Sequence, residues 1–291
     1  MSLIDILQQQ SWIFFSFSTL LGLSVGSFLN VVIHRLPKMM ESQWHRDCDE
    51  LKGIATEQAE TKTFNLSYPS SHCPHCGHKI RPWENIPVVI WLWLRGRCSS
   101  CQKLISIRYP LIEISTGLLS FLVAYHFGFG WPALAAMVLT WALIALSMID
   151  FDVQLLPDNI TLPFLWLGLL INLDGLFTDT HSAIIGAAAG YLSLWSVYQL
   201  FKRLTGKEGM GYGDFKLLAL LGAWFGWQYL PQIILLSALV GAVVGILLIV
   251  VRGRDRNIPI PFGPYLAAAG WISMMWGDRI NYAYLHWSGL A

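Results

Sequence analysis

Long apolar stretches separated by short polar segments run along most of the chain. A helix that crosses the roughly 30 Å hydrocarbon core of a bilayer needs about 20 mainly apolar residues. The pattern therefore predicts an all-α polytopic membrane protein with about eight transmembrane helices. The predicted spans lie near residues 11–33, 111–129, 132–149, 159–177, 182–201, 215–230, 232–251 and 262–278.

The composition agrees with a membrane protein. Of the 291 residues, 55% are apolar and only 13% are charged, which is more hydrophobic than a soluble core of this size requires. The formal net charge of +1 argues against nucleic acid as a partner. The first apolar stretch has neither a basic segment before it nor a small-residue cleavage pattern after it, so we expect a retained membrane anchor rather than a removable signal peptide.

The distribution of Lys and Arg predicts the orientation in the membrane. Residues 34–109, 202–216 and 252–257 together carry eighteen of the nineteen basic residues, and only Arg279 lies elsewhere. Eight crossings would put these three segments on one face, and cytoplasmic loops are the ones enriched in basic residues. The sequence therefore predicts that these segments are cytoplasmic and that both termini are periplasmic.

Two aspartates lie where an apolar stretch meets a polar loop. Asp150 ends the third predicted span and Asp214 begins the sixth, so the predicted topology brings both to the cytoplasmic boundary. A charged carboxylate costs roughly 2.5–3.5 kcal/mol at a helix centre, so its presence near a membrane requires a reason. Two neighbouring carboxylates can share a proton and act as base and acid on a water and a carbonyl. The pair is a candidate aspartyl protease dyad, and the alternative is two helix caps at the interface.

The polar segment 34–109 contains two CxxC pairs. Cys73 and Cys76 form the first pair, and Cys98 and Cys101 follow after 21 residues. This spacing is typical of zinc sites, and four thiolates close a tetrahedral site with no open position, which makes the metal structural. Thiols also stay reduced in the cytoplasm. The sequence predicts a cytoplasmic zinc-ribbon-like insertion, with redox thiols or metal-free turns as alternatives.

Other residues of this insertion have weaker signals. His72, His75 and His78 crowd the first pair and could replace a cysteine ligand, but we expect them to face solvent. Cys48 lies in a charged stretch that predicts an exposed polar helix or a disordered segment, and we assign it no chemistry. Residues 88–94 are apolar but too few to span a bilayer, so they predict a strand of the zinc ribbon or a surface that rests on the membrane.

Five sequence motifs, in a fixed order, cover nearly the whole chain. They are residues 26–37 (GSFLNVVIHRLP), the two CxxC pairs, residues 108–113 (RYPLIE), residues 150–158 (DFDVQLLPD) and residues 211–216 (GYGDFK). In this order they resemble the bacterial type IV prepilin peptidases, the bifunctional leader peptidases and N-methyltransferases of pilus and type II secretion systems.

The resemblance implies a multi-pass inner-membrane aspartic endopeptidase. Such an enzyme cuts a short basic leader after a glycine in prepilins or pseudopilins, and then methylates the new amino terminus with S-adenosylmethionine. Asp150 and Asp214 match the two catalytic aspartates of the family, and the presence of all four cysteines favours both activities. The expected domains are an anchor at 1–33, the zinc-binding insertion at 34–109 and a seven-helix peptidase domain at 110–291. Prepilins and membrane lipid are the expected partners.

Several residues are expected to support the dyad or to bind substrate. Gly211 and Gly213 lack a Cβ and so permit φ > 0 or close approach beside the carboxylate. Lys216 would either stabilise the ionised dyad or simply be one of the basic residues that are concentrated at the cytoplasmic face. Asp152 lies two residues after the first aspartate and would face elsewhere on a helix. Asp158 is predicted to be the N-cap of the fourth span.

Glu113 and the end of the first span form a second group of candidates. Glu113 should have a partner at its depth: either a basic residue of the leader or, with a slight preference, Arg108 or Arg35. For methyl transfer the candidates are Ser27, Asn30 and Arg35, since no Rossmann-type loop is present. Buried Asn30 should form a hydrogen bond.

Glycine pairs at four-residue spacing predict helix packing rather than a site. They are Gly22 with Gly26, Gly186 with Gly190, Gly222 with Gly226, and Gly241 with Gly245.

Two other classes of protein share some of these features. An ion-coupled transporter could use Asp150 and Asp214 as cation sites, but transporters place such groups near the midplane and often contain repeats, and this chain has no convincing repeat. A non-catalytic assembly scaffold could dock a partner on the zinc-binding insertion. Neutral replacement of the aspartates would be harmless in a scaffold and would abolish cleavage in a peptidase.

Overall fold

The computed structural model describes residues 3–53, 64–252 and 260–288, and the regular structure in these ranges is helical. Two compact units divide the chain, residues 1–129 and 130–291. Within the described ranges, five helices are long and apolar enough to cross a membrane. The predicted all-α polytopic class is therefore confirmed, whereas the number of eight spans stays a prediction.

The first unit is built on two long helices that pack closely. A Cβ on Gly22 would lie 2.5 Å from Ser120 Oγ, and one on Gly26 would lie 2.7 Å from the backbone of Glu113. These contacts confirm the predicted packing role of this glycine pair. The helices of the unit are α1 (Leu3–Gln9), α2 (Ser11–Leu51), α3 (Val89–Trp93) and α4 (Arg108–Phe127).

Helix α2 is much longer than the predicted first span. Its 41 residues extend to Leu51, and at 1.5 Å per residue it measures about 62 Å, twice the thickness of a hydrocarbon core. The apolar stretch from which the span was predicted ends at residue 33. The helix continues because Lys, Met, Glu and Gln, which follow Pro37, are good helix formers. Cys48 is exposed on this extension. Of the two structures predicted around Cys48, an exposed polar helix or a disordered segment, the helix is therefore present; residues 54–63 lie outside the described residues.

The second unit has α8 at its centre. Eleven of the fourteen residues of α8 are buried, and it packs against α6, α7 and α10. Both α6 and α8 have 14 residues, about 21 Å, which is shorter than a hydrocarbon core. The helices of this unit are α5 (Trp131–Val153), α6 (Asp158–Ile171), α7 (Thr180–Thr205), α8 (Tyr212–Phe225), α9 (Leu230–Arg252) and α10 (Gly263–Ser288).

Small residues bring α7 and α8 into backbone contact. The Cα atoms of Gly186 and Gly222 face each other's backbone, and a Cβ on Gly190 would lie 2.6 Å from the carbonyl oxygen of Leu218. Any side chain at these positions would separate the helices, so the predicted packing role is confirmed here. Gly226 differs, because it ends α8 with a φ of 85°.

A buried asparagine fixes the far end of α8. The Asn172 amide donates to the carbonyl oxygens of Ala223 and Trp224, both at 2.9 Å, and accepts from the N–H groups of Phe177 and Thr178. One side chain thereby satisfies backbone groups at the end of α8 and in the turn before α7. The buried end of α8 is held in one position relative to α6.

Candidate active site

Asp150 lies in the last turn of α5 and is buried, with 5% of its surface exposed. Its Oδ2 accepts a hydrogen bond of 2.9 Å from the N–H of Gly263, the first residue of α10. The amino end of a helix carries a partial positive charge and unpaired N–H groups, so it is a favourable place for a carboxylate. Gln154 ends α5 in the left-handed conformation, and its N–H donates to the Asp150 carbonyl at 2.9 Å.

Asp214 is buried in the first turn of α8. Its N–H donates to the carbonyl of Gly211 at 3.3 Å, which closes this turn. Gly213, which precedes Asp214, and Gly263, which donates to Asp150, both lie against Leu156, so the two aspartates lie around one side chain. Asp214 therefore lies in the first turn of its own helix, and Asp150, in the last turn of α5, accepts from the amino end of α10.

Leu156 and two glycines shape the surroundings of the two carboxylates. A Cβ on Gly213 would lie 2.8 Å from Leu156 Cβ, and one on Gly263 would lie 2.7 Å from Asp150 Oδ2 and 3.2 Å from Leu156 Cδ1. Close approach is thus the reason for glycine at both positions. The positive φ suggested for the GYGD segment is wrong for Gly211, whose φ is −81°, and a Cβ there would meet open space.

Lys216 forms an ion pair with Asp158. Its ammonium group lies 2.8 and 2.7 Å from the two carboxylate oxygens, which ties α8 to the start of α6. The predicted N-cap role of Asp158 is wrong, because Pro157 takes that position and Asp158 is the first residue of the helix. Asp152 is exposed on α5, away from the buried position of Asp150.

The four cysteines converge into one cluster. The sulfur atoms of Cys73, Cys76, Cys98 and Cys101 all lie within 4.8 Å of one another, and the Cys73 and Cys101 sulfurs are 3.8 Å apart. A tetrahedral zinc with bonds of about 2.3 Å holds its sulfurs about 3.8 Å apart. The spacing is also far from the roughly 2.0 Å of a disulfide. The donor set and its dimensions therefore fit a structural zinc ion.

The two CxxC pairs fold in the same way. In each, the first cysteine donates its N–H at 2.9 Å to a carbonyl five residues later, that of His78 or of Lys103. Gly77 and Gln102 follow the second cysteines and both have positive φ, 70° and 59°. Amide groups of His75 and Cys76 lower the pKa of the Cys73 thiol to about 6. Such N–H donors stabilise the thiolate form that a metal requires.

A single carboxylate joins the two pairs within the segment 64–107, here called the cysteine module. Glu84 accepts from the N–H of Arg81 at 2.9 Å, contacts His78 Nε2 at 3.3 Å and lies beside the Ser99 side chain. These contacts lower the pKa of the Glu84 carboxyl, with the Arg81 amide as the largest cause. His72 and His75 are exposed, as predicted, while His78 is half-buried against this carboxylate.

Glu113 has partners in its own unit. Its Oε2 accepts from the N–H of Val88 at 2.7 Å, and the Ser27 side chain lies beside this carboxylate. Neither contact is with Arg35, whose guanidinium instead donates to the carbonyls of Asn65, Leu66 and Pro69, at 2.7 Å for the last. The slight preference for an arginine partner therefore fails for Arg35.

The predicted hydrogen bond of buried Asn30 is present. Its amide donates to the carbonyl oxygens of Gly26 and Tyr109, both at 3.2 Å. The second bond joins α2 to the start of α4. Ser27, Asn30 and Arg35 thus all have protein partners, and all three lie on α2.

Sequence reasoning missed Gly263 and Leu156. Gly263 stands between Phe262 and Pro264, and proline in a first turn is a signal for the start of a helix. That signal predicts where α10 begins, but not that its first N–H reaches a carboxylate 113 residues earlier.

Comparison with known proteins agrees with this arrangement. The sequence profile of the bacterial peptidase A24 N-terminal domain matches residues 20–127, and that of the type IV leader peptidase family matches residues 137–246. Relatives named prepilin leader peptidase/N-methyltransferase include those of Pseudomonas aeruginosa, 58% identical over 99% of both chains, and of Neisseria gonorrhoeae, 50% identical over 93% of both. No solved structure matches the chain. The chain belongs to the type IV leader peptidase family.

Proposed function

We propose that this protein is a bifunctional membrane enzyme of the bacterial inner membrane. It removes the leader peptide from type IV prepilins or pseudopilins and then methylates the new amino terminus. The observation that carries the peptidase assignment is the pair of buried carboxylates of Asp150 and Asp214, one bonded to the first N–H of α10 and the other in the first turn of α8. The names of the relatives, which cover almost the whole chain, support both activities.

The two aspartates perform hydrolysis as a pair. One carboxyl group, protonated, polarises the scissile carbonyl, while the other, ionised, removes a proton from the attacking water. The leaving amine then takes a proton from the pair as the peptide bond breaks. The shared proton belongs to the pair rather than to either residue. The bond from Gly263 holds the Asp150 carboxyl group in one orientation for this step.

Nearby residues position the substrate and the dyad. Gly213 lets Leu156 approach the GYGD segment, and open space beside Gly211 leaves room for an extended peptide. Lys216 acts through its ion pair, which fixes the start of α8. Asp152 is exposed on the helix that carries the first aspartate, and it is the candidate substrate-contacting residue on that helix. Glu113 is the remaining supporting residue, and it acts within the first unit.

Methyl transfer belongs to the first unit in this proposal. S-adenosylmethionine, the expected donor, supplies an electrophilic methyl group when bound. Ser27, Asn30 and Arg35 are the candidate residues, and their protein contacts support a positioning role rather than direct contact with the donor. They hold α2 against α4 and against the segment before the first CxxC pair.

Zinc has a structural role in the cysteine module. Cys73, Cys76, Cys98 and Cys101 are all required as ligands in a closed site, which leaves no position for water or substrate. The domain limits follow the sequence, with an anchor at 1–33, the insertion at 34–109 and the peptidase domain at 110–291.

We further propose that the aspartates work at the cytoplasmic face and that both termini are periplasmic. The concentration of Lys and Arg in 34–109, 202–216 and 252–257 supports this orientation.

Intact mass spectrometry of a purified type IV prepilin tests both activities. The prepilin is incubated with the enzyme, S-adenosylmethionine and lipid, and wild type is compared with Asp214→Asn. Wild type should remove the leader and add one methyl group, whereas Asp214→Asn should leave the prepilin intact because an amide cannot share the proton. Asp174→Asn, the same change at an exposed residue of the second unit, is the matched control.

Each alternative outcome has a clear meaning. Cleavage without a methyl gain by wild type would remove the transferase assignment. Cleavage by a well-folded Asp214→Asn variant would refute the dyad. An intact prepilin after incubation with well-folded wild type would refute the peptidase assignment and favour a scaffold or transporter.

A further inference from the structure

The short helix α3, which belongs to the cysteine module, carries exposed apolar side chains on one face. Val89, Leu92 and Trp93 are 57%, 62% and 82% exposed. Their spacing of three and four residues puts them on one face of the helix. Ile86 and Trp83, just before the helix, are 48% and 60% exposed. A continuous run of large apolar side chains is therefore presented outward.

Trp91, on another face of α3, contacts the residues that flank the second CxxC pair. The Trp91 indole N–H donates to the carbonyl of Ile105 at 3.3 Å. A Cβ on Gly96 would lie 2.9 Å from the Trp91 ring. A helix on the surface of a soluble module turns polar residues outward, whereas α3 is apolar on both faces. Exposed apolar surfaces of this kind mark a place where the protein meets something else.

A hydrogen bond places the start of α3 beside α4. The N–H of Val88, which precedes α3, donates to Glu113 at 2.7 Å. Glu113 is five residues after Arg108, the start of α4, which is about 7.5 Å along the helix axis. Helix α4 is one of the candidate membrane spans. The start of α3 therefore lies beside the second turn of a membrane-crossing helix.

The charge of the cysteine module matches a membrane surface. Residues 64–107 contain five basic residues and one acidic residue. Arg95, exposed, directly follows the apolar face. Basic segments are attracted to anionic lipid headgroups, and tryptophan is enriched at the headgroup level.

We propose that α3 is an interfacial anchor, whose Val89, Leu92 and Trp93 side chains insert into the membrane surface beside the start of α4. Five residues are too few to cross a bilayer, so the helix lies in the plane of the interface. Insertion of these side chains holds the cysteine module against the membrane. No residue of this anchor is assigned to either of the proposed catalytic activities.

A fluorescent amino acid at Leu92 tests this proposal in the full-length protein in nanodiscs that contain anionic lipid. Two quenchers are compared: lipid with a nitroxide near the headgroup, and aqueous iodide. The matched control places the same probe at Leu51, an 88% exposed leucine at the end of α2. Leu51 lies 18 residues beyond residue 33, where the predicted first span ends. A second site at Trp93 replaces Leu92 if that variant does not fold.

The Leu92 probe should be quenched several-fold more by the nitroxide lipid than the Leu51 probe, and it should be protected from iodide. Equal iodide quenching at both sites would overturn the proposal, because the face would then be in water. Protection from both quenchers would also overturn it, since a protein surface would then cover α3.

Discussion

Replacement of Gly263 by Ala tests how far catalysis depends on the orientation of Asp150. The added Cβ would lie 2.7 Å from Asp150 Oδ2 and 3.2 Å from Leu156 Cδ1. Carbon–oxygen contacts in proteins are normally about 3.3–3.6 Å, so the carboxylate would have to move by about 0.6 Å or more. The 2.9 Å hydrogen bond from the Gly263 N–H would then be lost or distorted.

The size of the effect follows from that hydrogen bond. A hydrogen bond to a charged group is worth about 1.5–3 kcal/mol. If this stabilisation is needed to hold the carboxylate in its reactive orientation, its loss lowers the rate roughly 10- to 150-fold. A displacement of about 1 Å in a catalytic group alone costs on the order of 100-fold, which lies in the same range. We therefore expect Gly263→Ala to lose one to two orders of magnitude in the rate of leader cleavage.

The assay is a time course of prepilin cleavage with enzyme in detergent or nanodiscs. Gly130→Ala is the matched control, because Gly130 is the N-cap of α5, the helix that carries Asp150, and its Cβ would make only an ordinary contact of 3.5 Å. This variant should cleave at nearly the wild-type rate. Thermal unfolding of both variants separates a local effect from a folding defect. A folded Gly263→Ala protein with a rate within threefold of wild type would refute the orienting role of Gly263.

Two further predictions concern the cysteine module. Gln102→Gly should raise the melting temperature of the zinc-loaded protein and Gly77→Ala should lower it, because a Cβ at positive φ costs about 1 kcal/mol. Differential scanning calorimetry measures both, and a melting temperature of Gln102→Gly below that of wild type would contradict this reasoning. Cys98→Ser should lose its zinc, measured by inductively coupled plasma mass spectrometry, and should impair methylation more than cleavage. The control Cys48→Ser, at an exposed cysteine, should keep one zinc per chain. Full zinc retention by Cys98→Ser would rule out the four-cysteine site.

Features that depend on short stretches of sequence could be predicted. Each predicted span overlaps a helix of the structure, because apolar length is a local property, although the spans at 159–177 and 215–230 run past the ends of α6 and α8. The cysteine cluster was also predictable, since two CxxC pairs at this spacing are a recognised pattern of zinc sites. The strand considered for residues 88–94 is wrong, because residues 89–93 form a helix. A run of seven apolar residues has no periodicity that separates these two structures.

Features that depend on contacts between distant residues could not be predicted. The bond from Gly263 to Asp150 joins residues 113 positions apart, and the bond from Val88 to Glu113 depends on the fold of the module between them. Lys216 could equally have faced the dyad or solvent, and its partner Asp158 became evident only when α6 and α8 were side by side. A carboxylate that binds a distant N–H leaves no pattern in a single sequence.

The contacts of the two candidate sites fall within separate units. Gly263, Leu156 and Asp158, which surround or support the aspartates, all belong to residues 130–291. The four cysteines, and the α2 and α4 residues that hold the cysteine module, all belong to residues 1–129. The two family profiles match 20–127 and 137–246, on either side of the same boundary. Because each site is held by its own unit, loss of zinc removes none of the described contacts of Asp150 and Asp214, which is why we expect Cys98→Ser to affect methylation more than cleavage.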